Sequence, residues 1–214
     1  MKDIAIFGAG GFGREVACLI NRINEKEPTW NLIGFFDDGK KTGDDVSHFG
    51  KVLGGVNELN NWLTELAVVI AIGNPNVVKS VREKLVNSLL YYPNIIHPSV
   101  NFSDMDSFKI GEGNIVQRDC SFSCDVTIGD FNVMNASVVL GHDDVVGSYN
   151  SFMPAIRISG EVKIGNCNFF GVGSIVLQQI KIGNNIRLGA GSVLMTKPKD
   201  GNLYIGNPAK LFKI

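Results

Sequence analysis

The chain has almost no surplus charge: 20 Lys and Arg stand against 21 Asp and Glu, a formal net charge of −1. Without a chain-wide positive field, nothing draws it to nucleic acid or to anionic lipid. Long apolar runs are missing too, and no window approaches the roughly 18 apolar residues that suggest a membrane span. The opening Met1-Lys2-Asp3-Ile4 does not read as a signal peptide, so a cytoplasmic location away from membranes is expected. Cysteine is sparse: Cys18, Cys120, Cys124 and Cys167 form no C-x-x-C pair and read as reduced thiols, most of them packed. Histidine is sparser, with three in all, and His142 is the only one between Asn101 and Ile214. A zinc carbonic anhydrase site needs three imidazoles, which that half of one chain does not supply, so no metal is expected.

What is abundant is glycine, with 25 residues, and the excess has a period. Stepping by six from Ile110, every position through Leu194 is apolar: Val116, Phe122, Ile128, Met134, Leu140 and onward. Neither an amphipathic helix nor a simple alternating strand has that spacing. A second period of 18 brings Ile110-Gly111, Ile128-Gly129, Val146-Gly147, Ile164-Gly165 and Ile182-Gly183 into line. Three hexads therefore make one coil of a parallel solenoid, whose inner residues are buried only by stacking. In this reading, glycine after the inward residue permits the corner backbone. Two places after each inward residue, a side chain should point outward on one of three faces. One face bears Arg118, Ala136, Pro154, Val172 and Ala190, and becomes small and apolar along the coils. Another bears Cys124, His142, Gly160, Gln178 and Thr196.

The first half reads differently. An apolar strand over Lys2–Phe7 runs into Gly8-Ala9-Gly10-Gly11-Phe12-Gly13, and a helical stretch follows over 14–25. Glycines between a strand and a helix start expose backbone N–H groups that can hold phosphate. A second strand over 32–36 ends in Asp37-Asp38. A third, over 68–72, ends in Gly73-Asn74-Pro75 and leads into a helix reaching about Asn87. With only about three β–α units before the repeat, this is half of a dinucleotide fold. A mononucleotide or nucleotide sugar suits it better than the NAD(P) of a dehydrogenase.

Ala5 to Gly13, Asp37-Asp38, Ala71-Ile72-Gly73-Asn74, Asn135, Gly141-His142-Asp143 and Gly206-Asn207-Pro208-Ala209-Lys210 together resemble the left-handed β-helix acyltransferases. More narrowly, they resemble the sialic acid O-acetyltransferase and UDP-4-amino-sugar N-acetyltransferase group. The resemblance implies an α/β half-Rossmann-like domain over 1–94 that binds a nucleotide sugar. It implies a left-handed parallel β-helix over 95–214 that binds acetyl-CoA. It makes His142 the general base and Asp143 the carboxylate that raises its basicity, an arrangement suited to a group titrating near neutral pH. It assigns the nucleotide part of the sugar to Gly10, Gly11, Phe12, Asp37, Asp38 and Gly73. It assigns acetyl-CoA to Ser151, Gly160, Val172 and Ala190, in a site shared between subunits of a homotrimer. Two departures stand out: relatives often carry histidine where this chain has Ser151 and Phe12. The acceptor is expected to be the amino group of a nucleotide-linked sugar, with O-acetylation of sialic acid or another sugar hydroxyl as the alternative. A non-catalytic, nucleotide-sugar-binding trimeric scaffold is the reading from a different class.

Overall fold

The computed structural model describes residues 1–213; Ile214, the last residue of the second expected domain, lies outside it. The chain opens with β1 (Lys2–Phe7), α1 (Gly11–Lys26), β2 (Trp30–Phe36), β3 (Val52–Gly54), α2 (Val56–Asn60), β4 (Leu66–Ile70), α3 (Pro75–Lys84) and β5 (Leu90–Tyr91). The strands form one parallel sheet in the order β3-β2-β1-β4-β5. The expected half-Rossmann-like unit is present, with two strands more than the three legible in the sequence. The strands β3 and β5 are three and two residues long, too short for any alternation to show. Strand order reverses between β1 and β4, and open α/β sheets bind ligands at the carboxyl ends flanking such a point. The glycine loop and Gly73 both lie there.

From Ile95 onward, two-residue strands stack into three parallel faces. The first face runs from Ile95–Ile96 through Ile115–Val116, Val133–Met134, Ser151–Phe152 and Phe169–Phe170 to Arg187–Leu188. The second contains Val139–Leu140 and Arg157–Ile158, and the third Val145–Val146 and Lys163–Ile164. Successive coils pair in an 18-residue register, as in Ser121 with Val139 and Thr127 with Val145. Fourteen of the fifteen stepped apolar residues are buried; only Ile110, at the open first coil, is half-exposed. Phe152 and Phe170 stack inside the prism with ring centroids 4.7 Å apart.

Three details differ from the sequence reading. The outward residues two places on sit in corner turns, not on flat faces, because each strand ends at its inward residue. The left-handed backbone falls one residue later still, at Asp125 (φ 56°), Asp143 (φ 59°), Glu161 (φ 61°) and Gln179 (φ 63°). The period-18 glycines serve close stacking instead: a Cβ on Gly147 would lie 2.6 Å from the Gly165 carbonyl oxygen, and one on Gly165 2.5 Å from that of Gly183.

A ladder of buried asparagines runs along one corner: Asn114, Asn132, Asn150 and Asn168. The side-chain oxygens of Asn114, Asn132 and Asn150 each accept both the backbone N–H and the Nδ2–H of the next rung at 2.8–3.0 Å, and that of Asn168 accepts the Ile186 N–H at 2.8 Å. Each Nδ2 also donates to a glycine carbonyl 15 residues ahead, so every side-chain amide of the ladder is paired.

The α/β unit sits against the first face. Val16, Leu19 and Ile20 of α1 share a buried cluster with Ile4, Ile6, Ile95, Ile115 and Val133. This common core fixes the glycine loop relative to the coils.

Candidate active site

In the glycine loop, Gly8 (φ 116°) turns the chain out of β1, and its missing Cβ clears the Ala71 carbonyl oxygen by what would be 2.6 Å. Gly13 packs α1 onto Gly8. Gly10 and Gly11 differ: a Cβ at either would meet nothing within 4 Å. They begin α1 with no side-chain cap, and first-turn N–H groups have no acceptor within the helix. Their backbone is therefore open to an anion. Phe12 is half-buried against the core shared with the coils.

The two aspartates have different tasks. Asp37 is half-buried and accepts the Ala9 and Gly39 N–H groups, each at 2.8 Å, on separate oxygens. It braces the glycine loop. Asp38 is exposed and accepts the Val56 N–H at 2.9 Å on Oδ1, capping α2. Gly73 precedes Asn74, the N-cap of α3, at the mouth of a cavity of about 370 Å³. Phe169 and Arg187 of the first face, with Met153 and Asn185 from the corners beside it, line the same cavity. The Arg187 guanidinium lies 5.6 Å from the Phe169 ring centroid. No feature of the sequence pointed to this lining, because its residues come from coils one and two periods apart.

His142 stands on the corner after Val139–Leu140. Its Nδ1 lies 2.8 Å from Asp143 Oδ2. An ionised carboxylate can only accept, so Nδ1 donates, and in the neutral ring Nε2 keeps its lone pair. The left-handed backbone of Asp143 lets consecutive side chains meet in this way. Both are more than half exposed. The hydrogen bond to Asp143 raises the imidazole above its ordinary 6.5, burial acts against it, and the charges of Asp143, Glu161 and Asp144 assist. The ring lies across Gly160 of the next coil, where a Cβ would be 2.5 Å from Nε2. Beside this corner, Asp125, Asp143, Glu161, Lys163 and Lys181 border an open groove of about 580 Å³.

The structure thus brings His142, Asp143 and Gly160 together. Val172 (51% exposed) and Ala190 lie on a different corner, with Ala136 and Pro154, across the second face from His142. Ser151 is on the first face between Val133 and Phe169 and is 1% exposed. The glycine-loop residues belong to the α/β unit. Sequence reasoning missed Asp144, buried under the His142 corner, and the His97–Ser99–Asp119 chain. In that chain, Ser99 Oγ lies 2.8 Å from His97 Nδ1 and 3.1 Å from Asp119 Oδ1. Among the described residues there is no group of three or more His, Cys, Asp or Glu side chains that could hold a metal ion. No helix among them is long and apolar enough to cross a membrane.

A glycine loop at a sheet's switch point, joined to a hexapeptide β-helix with a corner histidine–aspartate pair, defines a class: residues 3–89 match the PglD N-terminal domain. The whole chain resembles the hexapeptide-repeat sugar N-acetyltransferases. The UDP-N-acetylbacillosamine N-acetyltransferase of Bacillus subtilis (strain 168) is 33% identical over 118 residues, 54% of this chain. That match spans about half (51%) of the relative's length. Solved structures match from end to end. The acetyltransferase domain of PglB from Neisseria gonorrhoeae FA1090, in complex with acetyl coenzyme A, has a TM-score of 0.88 at 28% identity and covers 99% of both chains. PerB from Caulobacter crescentus, in complex with CoA and GDP-perosamine, has a TM-score of 0.88 at 26% identity, covering 100% of this chain and 98% of that one.

Proposed function

We propose that this protein transfers the acetyl group of acetyl-CoA to the amino group of a nucleotide-linked amino sugar, with His142 as general base. In this reading, residues 1–94 hold the nucleotide sugar and 95–214 hold acetyl-CoA. The observation that carries it is the His142–Asp143 hydrogen bond of 2.8 Å, which fixes the tautomer with an unprotonated Nε2. The neutral amine attacks the thioester carbonyl carbon, a C–N bond forms, and Nε2 takes the proton that the nitrogen sheds. As the C–S bond breaks, the imidazolium can return that proton to the leaving thiolate. Asp143 stabilises the imidazolium between these steps.

The open amides of Gly10 and Gly11 at the start of α1 suit a pyrophosphate, with Phe12, Asp37, Asp38 and Gly73 around it. Gly160, Val172, Ala190 and Ser151 are the residues assigned to acetyl-CoA. Because Val172 and Ala190 lie on a different corner from His142, a site containing all of them draws on two subunits, which supports a homotrimer. The N-acetyltransferase names of the relatives favour nitrogen over a sugar hydroxyl as the acceptor. Incubation with acetyl-CoA and a panel of UDP-, dTDP- and GDP-linked amino sugars, read by mass spectrometry, tests this. One panel member should gain an acetyl group in wild-type enzyme and not in His142→Ala. Acetylation that is equal in both would overturn it.

A further inference from the structure

Asp144 has no solvent exposure, yet it stands at a place in the coil that Val126, Val162 and Ile180 fill in the others. A carboxyl among aliphatic side chains is costly unless its oxygens are satisfied. Here both are: Oδ1 accepts the Val162 N–H at 2.9 Å, and Oδ2 accepts the Gly141 N–H at 2.8 Å. The first bond repeats what the asparagine ladder does at another corner, a side-chain oxygen taking the N–H 18 residues on. The second has no counterpart in that ladder and grips the residue immediately before His142. The carboxyl therefore joins Gly141, which leads into the imidazole, to Val162, two residues beyond the Gly160 on which the imidazole rests.

We propose that Asp144 is a positioning residue for His142: it anchors the corner that carries the imidazole and, when ionised, sets a second negative charge behind Asp143. Its kinetic consequence rests on the acetyl-transfer reading above. The charged groups facing His142 are Asp143 on the same corner, Glu161 on the next coil and Asp144 below. Burial pushes the Asp144 carboxyl up to about 7, opposed by its two backbone N–H donors and by His142. Its charge therefore varies over the range in which a histidine base works.

Asp144→Asn separates anchoring from charge. Asparagine already fills four comparable corner rungs in this chain, so the variant keeps an acceptor for the Val162 N–H. It loses the charge, and because an amide nitrogen only donates, the Gly141 N–H loses its acceptor. The expected result is a kcat about tenfold lower, within the worth of a well-placed base. The KM for acetyl-CoA should be unchanged, and the His142 imidazole midpoint in NMR titration should be lower than in wild type. A folded Asp144→Asn protein with wild-type kcat and an unmoved His142 midpoint would overturn the proposal and leave a structural rung only. An unmoved kcat alone would overturn the positioning role. If wild-type protein acetylated no sugar at all, the transfer reading would fail, while the titration would still decide whether Asp144 acts on His142.

Discussion

The imidazole of His142 rests on Gly160 of the following coil, and no side chain could share that space: a Cβ there would sit 2.5 Å from Nε2. Glycine is required by the ring above it, not by the backbone, since residue 160 does not have the left-handed conformation of its neighbour Glu161. Gly160→Ala should therefore tilt the ring off its place while the coil survives. The expected outcome is a fall in kcat of about 10- to 100-fold, the scale of a misaligned catalytic group, with a thermal midpoint close to wild type. A fully active Gly160→Ala would mean that the ring position seen here is not the working one.

His142→Ala should lower acetyl transfer by about 10²- to 10⁴-fold. Asp143→Asn should cost less and move the pH profile in a defined direction. As the proposed base, His142 would act when neutral, so activity should rise with pH through its pKa. The Asp143 hydrogen bond raises that pKa, so removing the carboxylate should shift the acid limb to lower pH. Steady-state rates between pH 5 and 9 would read the shift, and a limb moving upward would contradict the assignment.

The buried Asp144 makes a stability claim. Its folded value of about 7 lies above its ordinary 3.8, so the folded protein favours the protonated form. That stabilisation is complete below about pH 4 and is lost as pH rises through about 7. Asp144→Asn has no such proton. The melting point of the variant relative to wild type should therefore climb between those two pH values, by calorimetry or by fluorescence. A difference independent of pH would mean that the carboxyl stays ionised when folded.

Asp38 links the two ways of reading the α/β unit. Its Oδ1 caps α2 through Val56, so Asp38→Ala should cost roughly 1 kcal/mol of stability even without ligand. If its remaining oxygen also meets the base or ribose, the KM for the nucleotide sugar should rise roughly 5- to 150-fold. Acetyl-CoA binding by calorimetry should stay put. Loss of stability with no change in KM would leave Asp38 as a helix cap alone.

The hexapeptide coils were legible because the same three-sided solution recurs every 18 residues, so Ile128, Val146 and Ile164 each repeat one instruction. His142 was legible as the only histidine in that half. Other features were not, for physical reasons. The strands β3 and β5 are too short to alternate, and pairing with β2 and β4 makes them strands. Asp37 and Asp38 look alike in sequence, but one braces Ala9 while the other caps α2. The role of Asp144 depends on its place inside the coil, and Asp143 beside it shows the opposite exposure.

The corner with Ala136, Pro154, Val172 and Ala190 is the surface proposed to meet another subunit, in a closed three-fold assembly. Val172→Asp should then yield a monomer by light scattering and abolish transfer, while the melting behaviour of the single chain persists. A wild-type monomer at working concentration would remove the shared site.

The asparagine ladder makes the protein modular in length. A copy of one 18-residue turn placed after Tyr149 would present another Asn rung and another inward triplet, and each junction would find its usual partner. Such an insertion, lying after His142, would leave the distance from the glycine loop to the base untouched. The same cassette placed before Asn132 would move the base along the axis by one strand spacing, about 4.8 Å. On the acetyl-transfer reading, the reach from the bound nucleotide to the reacting amine is thus adjustable only in whole steps of that size. On that reading the number of coils, not the shape of a pocket, sets the span between the two sites of this chain.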